Sequence, residues 1–354
     1  MSLTFEHTTL GQRVLFGTGQ AGENLASEIA RLGAQRVMVI ASTSQSAVAE
    51  SITKDVDVAL NYADVAPHVP LEKAQKGRAA AAELGIDLLV CVGGGSTIGL
   101  AKAIAMTSGL PIVAVPTTYA GSEATNVWGL TMDARKTTGV DDKVLPVTVI
   151  YDARLTLALP VGLSVASGLN ALAHCVDSMW APRADPINQT LAAEGIRALN
   201  RGLRTIKRDL HDRDGREETL YGAYLSAVAF ASAGSGIHHK ICHVVGGAYN
   251  MPHAHTHAAV LPYVLAFNAP FAPEAERRIA AAFGSDTAVE GLSALRAALD
   301  APTALKDYGL AEENIPEAAQ LILPFIPASN PRTVTVENLE ALLTAAWSGT
   351  TPGL

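Results

Sequence analysis

Cysteine is scarce in this sequence of 354 residues. It has three, Cys91, Cys175 and Cys242, too few and too scattered for a disulfide framework or a CxxC metal knuckle. Each sits in an apolar run and reads as a small buried hydrophobe. Charge is scarce as well: Asp, Glu, Lys and Arg supply 17% of the chain against 49% hydrophobic residues, which excludes a disordered polypeptide. There is no run of Lys and Arg, and the net charge is −8, so nucleic acid is not an expected partner. The opening MSLTFEHTTLGQRVLFG lacks the basic and apolar regions of a secretory signal, and a cytoplasmic location is expected. One stretch, Leu155 to Val176, has no charged residue and could by length span a bilayer. Pro160, Gly162, Asn170 and His174 interrupt it without any flanking basic bias, so a buried helix and no membrane partner are expected.

At roughly 150 residues per domain, the length suggests two domains. In the first half, short apolar runs alternate with helical patterns. Strands are expected at Arg36 to Ser42, Val56 to Asn61, Asp87 to Gly93, Pro111 to Thr118 and Pro146 to Asp152. Helices are expected at Ala21 to Leu32, Leu71 to Leu84 and Ile98 to Met106. Near-continuous apolar strands between helices indicate a parallel sheet covered on both faces. After Asp152 the strand signals stop. Helical spacing takes over at Pro186 to Leu210, Glu217 to Ala233, Pro273 to Phe283 and Glu337 to Trp347, joined by Gly- and Pro-containing turns. The expected organisation is an α/β nucleotide-binding domain over 1–155 and an all-helical domain over 156–354.

Two patterns carry chemistry. The first is VCVGGGSTIGLAKAIA, Val90 to Ala105, a strand, three glycines with a serine, then a helix. Glycines let a phosphate approach the backbone, and the helix N-terminus offers free N–H groups and positive dipole. It is neither GxGxxG nor a Walker loop, but three adjacent glycines exceed what a turn needs. An earlier turn, Gly17 to Gly19, is a weaker candidate and could be an ordinary turn. Ser42 stands where an acidic residue would hold a ribose 2′-hydroxyl.

The second pattern is histidine. Six of the ten fall between positions 238 and 257. His239 and His243 are four apart, on one helix face, and Asn170 and His174 repeat that spacing. His253 follows a Gly-containing turn and a proline and can return towards them. Four converging imidazoles, at 174, 239, 243 and 253, could build a metal site, a proton relay or an anion pocket. His238, His255 and His257 read as ordinary core or surface histidines.

GGGSTIGLAKA, PTTYAGSEAT (Pro116 to Thr125), NALAHCVD and HHKICHVVGGAYNMPH occur in order over nearly the whole chain. Together they resemble the iron-containing alcohol dehydrogenase family. The resemblance implies a dehydroquinate synthase-like architecture, a nicotinamide cofactor in the cleft between domains, and a homodimer. Within the family the chain looks most like the maleylacetate reductase branch. The metal-binding branch has Asp where Asn170 stands, with His174, His239 and His253 completing the ligand set, and it has Asp where Gly99 stands. Its PTTxGTGSE loop is one residue longer than PTTYAGSE, and HHKICH with PHAHTH is similar to the reductase branch. The implied proton-transfer histidine is His243.

The resemblance implies NADH or NADPH on Gly93, Gly94, Gly95, Ser96, Thr117, Thr118, Ser42 and Lys143. It also implies a small dicarboxylate substrate near Tyr119, Asn170 and Lys240, with the Arg135 to Lys143 segment a further source of cations. An amide at position 170 offers a dipole where a carboxylate offers charge, so no metal requirement is expected. Reduction of the maleylacetate double bond to 3-oxoadipate is the expected activity. A metal-dependent alcohol dehydrogenase and a dehydroquinate synthase-like lyase are the alternatives.

Overall fold

The computed structural model describes residues 4–132 and 135–351. The chain forms two compact units, one of Leu10–Leu159 and one of Pro160 onward together with the segment up to Thr9. That division falls after Leu159, where the sequence pattern changes near 155. The first segment goes with the helical unit because His7 Nδ1 lies 2.9 Å from Asp185 Oδ2.

In the α/β unit the order is β1 (Arg13–Phe16), α1 (Ala21–Leu32), β2 (Val37–Ile40), α2 (Ser46–Ile52), β3 (Val58–Tyr62), α3 (Leu71–Glu83), β4 (Leu88–Gly93), α4 (Gly95–Ser108) and β5 (Ile112–Pro116). It continues with β6 (Val127–Met132), β7 (Arg135–Val140) and β8 (Thr148–Tyr151). Six strands form a parallel sheet in the order β1-β8-β5-β4-β2-β3. Alternate residues of each central strand feed different faces. Met38, Ile40, Leu89 and Cys91 join one apolar cluster; Val37, Val39, Leu88, Val90 and Val92 join the other. Burial on both faces is why these strands read as unbroken apolar runs. The antiparallel hairpin β6–β7, β1 and the short α2 lie outside the expected elements. RVLF is exposed at both ends and β6 is half-buried along most of its length, so neither shows the apolar run of a central strand.

From β2 the chain steps to β3, then crosses back to β4 on the other side of β2. The order of the sheet therefore reverses between β2 and β4, the place where open α/β sheets bind ligands at their carboxyl ends. Ser42 follows β2 there, and Gly93 and Gly94 end β4.

The second unit holds α5 (Val161–Ser178), α6 (Pro186–Arg208), α7 (Arg213–Ala233), α8 (Ile237–Ala248), α9 (His253–Asn268), α10 (Pro273–Phe283), α11 (Ala288–Leu299), α12 (Ile315–Ile322) and α13 (Val336–Ser348). No strand occurs among its described residues. The charge-free stretch becomes α5, which starts after Pro160 and is buried from Ser164 to Ser178. Among the described residues no single helix is long and apolar enough to cross a membrane. Helices α8, α9, α12 and α13 share one core, with Ile241, Val245, Val260, Val264, Ile322 and Leu343 inside it. That core fixes the histidine-bearing faces of α8 and α9.

Candidate active site

Two glycine turns of the α/β unit differ in what their backbone donors meet. After β1, the Asp152 carboxylate accepts from Gly19 N at 2.8 Å and Ala21 N at 3.2 Å. The start of α1 thus already holds an anion, and Gly17 to Gly19 is a structural turn. After β4, no side chain caps α4. A Cβ at Gly93 would stand 2.5 Å from Thr97 Oγ1, and one at Gly94 would stand 2.9 Å from Thr118 Cγ2. Packing therefore demands those two glycines. Gly95 is different: a Cβ there would meet only Ala120 Cβ, at 3.7 Å. An uncapped helix N-terminus beside open space offers free backbone N–H groups of the kind that bind anions such as a diphosphate. Ser96 lies in the first turn of α4, half-buried like Ser42 and Thr118, while Thr117 and Tyr119 are buried. Lys143 is exposed. The side chain of Arg135 lies outside the described residues.

The loop from Thr117 to Asn126 is braced from beneath. Lys102, fully buried on α4, donates to Ser122 O at 2.6 Å and to Thr125 O and Val127 O at 2.8 Å. Burial pushes the Lys102 amine down to about 7, against the nearby Glu123 carboxylate. Glu123 is also fully buried and accepts from the Tyr151 hydroxyl at 2.9 Å. Lys102 is not among the residues expected to matter, although its apolar setting in GLAKAIA is a signal of burial.

In the helical unit, α5, α8 and α9 bring the histidines together. His174 stacks on His239 with ring centroids 4.8 Å apart, and His239 is 5.8 Å from His243. His243 is 6.2 Å from His253, the first residue of α9. Asn170 is buried one helical turn before His174. Lys240 is half-buried on α8.

Two residues outside the expected set belong to the same cluster. Asp177, fully buried, accepts from Gly236 N at 2.8 Å, so it caps α8. It also lies 2.8 Å from His239 Nδ1, which leaves His239 Nε2 as an acceptor. Burial pushes the Asp177 carboxyl up to about 7, against the backbone donors of α8. His257 is fully buried, 4.9 Å from the His239 ring and 4.3 Å from the His253 ring. Its signal is present in the sequence: His257 follows His253 by four residues, the spacing that marks the other pairs. Burial drives His174 down to about 4 and His238 to about 3, and holds His239 and His257 well below the ordinary imidazole value. These four rings are neutral. His243 is half-buried and His253 exposed, so the cluster meets the surface at those two.

A divalent cation would need charge and convergence from this donor set. Asn170 Oδ1, His174 Nδ1 and His239 Nε2 are buried with no hydrogen-bond partner, but none carries charge. His174, His239 and His253 do not bring three ligand atoms within 4.8 Å of one another; among the described residues the trio that does is His238, Cys242 and His257. In that trio the thiol is held well above its ordinary value by burial, and His238 Nε2 and His257 Nδ1 face each other at 3.0 Å. None of Asn170, His174, His239 and His253 is an anionic ligand and the three imidazoles do not converge as a set, so a divalent ion would meet neutral, unfocused donors here, with the Asp177 carboxyl behind His239.

Comparison with known proteins places this geometry. Residues 11–153 match the profile described as iron-containing alcohol dehydrogenase, and residues 164–347 match that of the Fe-containing alcohol dehydrogenase family, C-terminal. A maleylacetate reductase of Sphingobium indicum is 42% identical over 352 residues, 99% of both chains. The crystal structure of a maleylacetate reductase from Agrobacterium tumefaciens, 36% identical, superposes with a TM-score of 0.94 over 99% of this chain and 100% of that one. That of an iron-containing alcohol dehydrogenase from Corynebacterium glutamicum, 62% identical, gives 0.97 over 99% and 98%. Matched through both units and along almost its whole length, the chain belongs to the iron-containing alcohol dehydrogenase family.

Proposed function

We propose that this chain reduces the carbon–carbon double bond of maleylacetate to 3-oxoadipate, using NADH or NADPH and no resident divalent metal. The observation that carries the reading is the donor set: an amide at Asn170, and a half-buried His243 whose ring lies within 6.2 Å of His239, His253 and His257. The maleylacetate reductases, 40–43% identical at nearly full length, support the substrate.

Gly94, Gly95 and Ser96 at the β4–α4 turn would hold the diphosphate of a nicotinamide dinucleotide, which would supply a hydride. The hydride enters the alkene carbon remote from the ketone, the double-bond electrons move towards the carbonyl, and an enolate forms. His243 then gives a proton to the carbon adjacent to the ketone, completing addition of two hydrogens. Burial disfavours the charged form of His174, His238, His239 and His257, whereas His243 is half-buried and can exchange protons with solvent. An enolate is a weaker base than the alkoxide formed in alcohol oxidation and reduction. Hydrogen-bond donors suffice where an alkoxide calls for a Lewis acid.

Both cofactor forms are accepted, since Ser42 offers no carboxylate to bond a 2′-hydroxyl or repel a 2′-phosphate. A preference for either above about a thousandfold in kcat/KM, some 4 kcal/mol, would refute that. The activity test follows NADH absorbance with maleylacetate and with simple aldehydes, each with and without chelator. Oxidation of NADH with maleylacetate is expected. Reduction of aldehydes alone, lost on chelation, would overturn the reading in favour of a metal-dependent alcohol dehydrogenase.

A further inference from the structure

The steps above leave Lys240 unused, and its setting on α8 is unusual for a lysine in this chain. Four lysines have described side chains that are not exposed: Lys73, Lys102, Lys207 and Lys240. Three of them are matched. Lys73 pairs with Asp64, Lys207 Nζ lies 2.8 Å from Asp300 Oδ2, and Lys102 donates to backbone carbonyls. Among the described residues Lys240 has neither an ion pair nor a side-chain hydrogen bond.

A partly buried cation without a partner loses hydration and gains nothing in exchange. The helix does not compensate it either. Lys240 is the fourth residue of α8, in the first turn, where the positive end of the helix dipole disfavours a cation. The buried carboxylate that feels its charge, Asp177, is already engaged by Gly236 N and His239 Nδ1, each at 2.8 Å, and makes no ion pair with it. A local rule is broken here with no gain inside the chain, which is the mark of a functional position. The place of that position is informative. Lys240 precedes His243 by three residues, so the two are neighbours on the surface of α8, and both are half-buried.

We infer that Lys240 is a substrate-binding residue that holds one carboxylate of a dicarboxylate beside His243, and so selects doubly charged substrates over singly charged ones. That this anion is the substrate to be reduced rests on the reductase reading; the unmatched cation does not. Maleylacetate carries a carboxylate at each end of its chain, so fixing one end beside His243 also fixes where the reacting carbons lie. Because Lys240 is partly desolvated before the substrate arrives, its attraction for an anion is less screened than that of a surface lysine.

Two measurements test this. Lys240→Met keeps a long unbranched side chain with good helix propensity and removes the charge. It should raise the KM for maleylacetate about thirtyfold, with the melting temperature and the KM for NADH nearly unchanged and kcat lowered far less. Lys240→Arg, which keeps the charge, should recover to within about fivefold of the unmodified enzyme. A Met variant with a KM within about twofold of normal, or an Arg variant no better than Met, would reduce Lys240 to a solvated surface residue. The second measurement needs no turnover: calorimetric titration with adipate, a saturated dicarboxylate, against hexanoate, its monocarboxylate counterpart. The unmodified protein should bind adipate about tenfold more tightly or better, and Lys240→Met should abolish the difference. Equal binding of the two anions by the unmodified protein, or a preference that survives in the Met variant, overturns the inference. Failure to reduce maleylacetate, with the adipate preference still dependent on Lys240, would instead remove the reductase reading and leave the anion site standing.

Discussion

Both units bury ionisable groups, and they differ in how many polar atoms of the cluster are left over. In the α/β unit Lys102 donates to three backbone carbonyls, and Glu123 takes the Tyr151 hydroxyl on one oxygen while Oε2 has no partner. In the helical unit Asn170 Oδ1, His174 Nδ1, His238 Nδ1, His239 Nε2 and His257 Nε2 are all buried with no partner. An unsatisfied buried polar atom costs on the order of 1–3 kcal/mol, and five in one cluster ask for an explanation. The first arrangement braces a loop. The second keeps hydrogen-bonding capacity open for something that is not part of the chain. A buried polar cluster is therefore informative less by its charge than by which of its atoms are left over.

The largest effect should come from breaking the brace. Lys102→Met keeps much of the side-chain volume but strips three carbonyls of their donor and leaves Glu123 without its nearby cation. About 3–5 kcal/mol of stability should be lost, read as a shift of the denaturation midpoint. Adding Glu123→Gln removes the stranded carboxylate and should recover part of the loss. A Lys102→Met protein as stable as the parent would show that the cluster braces nothing.

Next comes the histidine on which the proposed proton transfer falls. His243→Ala should lower kcat by about a hundredfold or more while NADH affinity hardly changes. Unlike the change at Lys102, this one should cost chemistry and little stability. Near-normal kcat would take His243 out of the mechanism.

The glycine turn gives a smaller effect of a third kind. At Gly95 a side chain meets little protein, so Gly95→Val should fold normally yet crowd the diphosphate. The KM for NADH should rise about tenfold, some 1.4 kcal/mol of binding, with kcat at saturation nearly kept. An unchanged KM would place the cofactor phosphates elsewhere than the α4 N-terminus.

These three positions also differ in how legible they are in the sequence. Strands β2 and β4 stand out because both of their faces are buried, and the glycines after β4 follow from that. Strand β1 and the β6–β7 hairpin do not, because half-exposed strands lack the apolar run that marks a central one. The pairs Asn170/His174 and His239/His243 are visible as helical spacing. His257 shares that spacing with His253 yet reads as an ordinary histidine, since spacing along one helix cannot say which rings meet across three. Asp177 is inconspicuous in NALAHCVD for the same reason: its partner His239 is 62 residues away. Lys102 is the clearest lesson, a basic residue among apolar neighbours whose three carbonyl acceptors come from the loop before β6 and from the first residue of that strand.

The smallest expected effect is none at all, and it bears hardest on the helical unit. Dialysis against chelator should leave maleylacetate reduction within about twofold of its starting rate, and metal analysis should find well below one equivalent of zinc or iron. The family's metal-binding members place a carboxylate where Asn170 stands, so this chain meets a divalent ion with a neutral oxygen and neutral rings. Three imidazoles can hold zinc without an anion, but only if their ligand atoms converge, and those of His174, His239 and His253 do not come within 4.8 Å as a set. The leftover atoms then have a different use. His239 Nε2 and Asn170 Oδ1 accept, Asn170 also carries an amide donor, and the imidazole at 243 supplies the proton. Substrate groups can engage these atoms one by one, without the common focus that a metal demands. Restoring the missing charge sharpens the test. Asn170→Asp places a buried carboxylate one helical turn from His174, and it should raise zinc affinity while slowing the reductase. Stoichiometric metal in the unmodified protein, with activity lost on its removal, would instead show that neutral donors close around an ion here, and the leftover atoms would be its ligands.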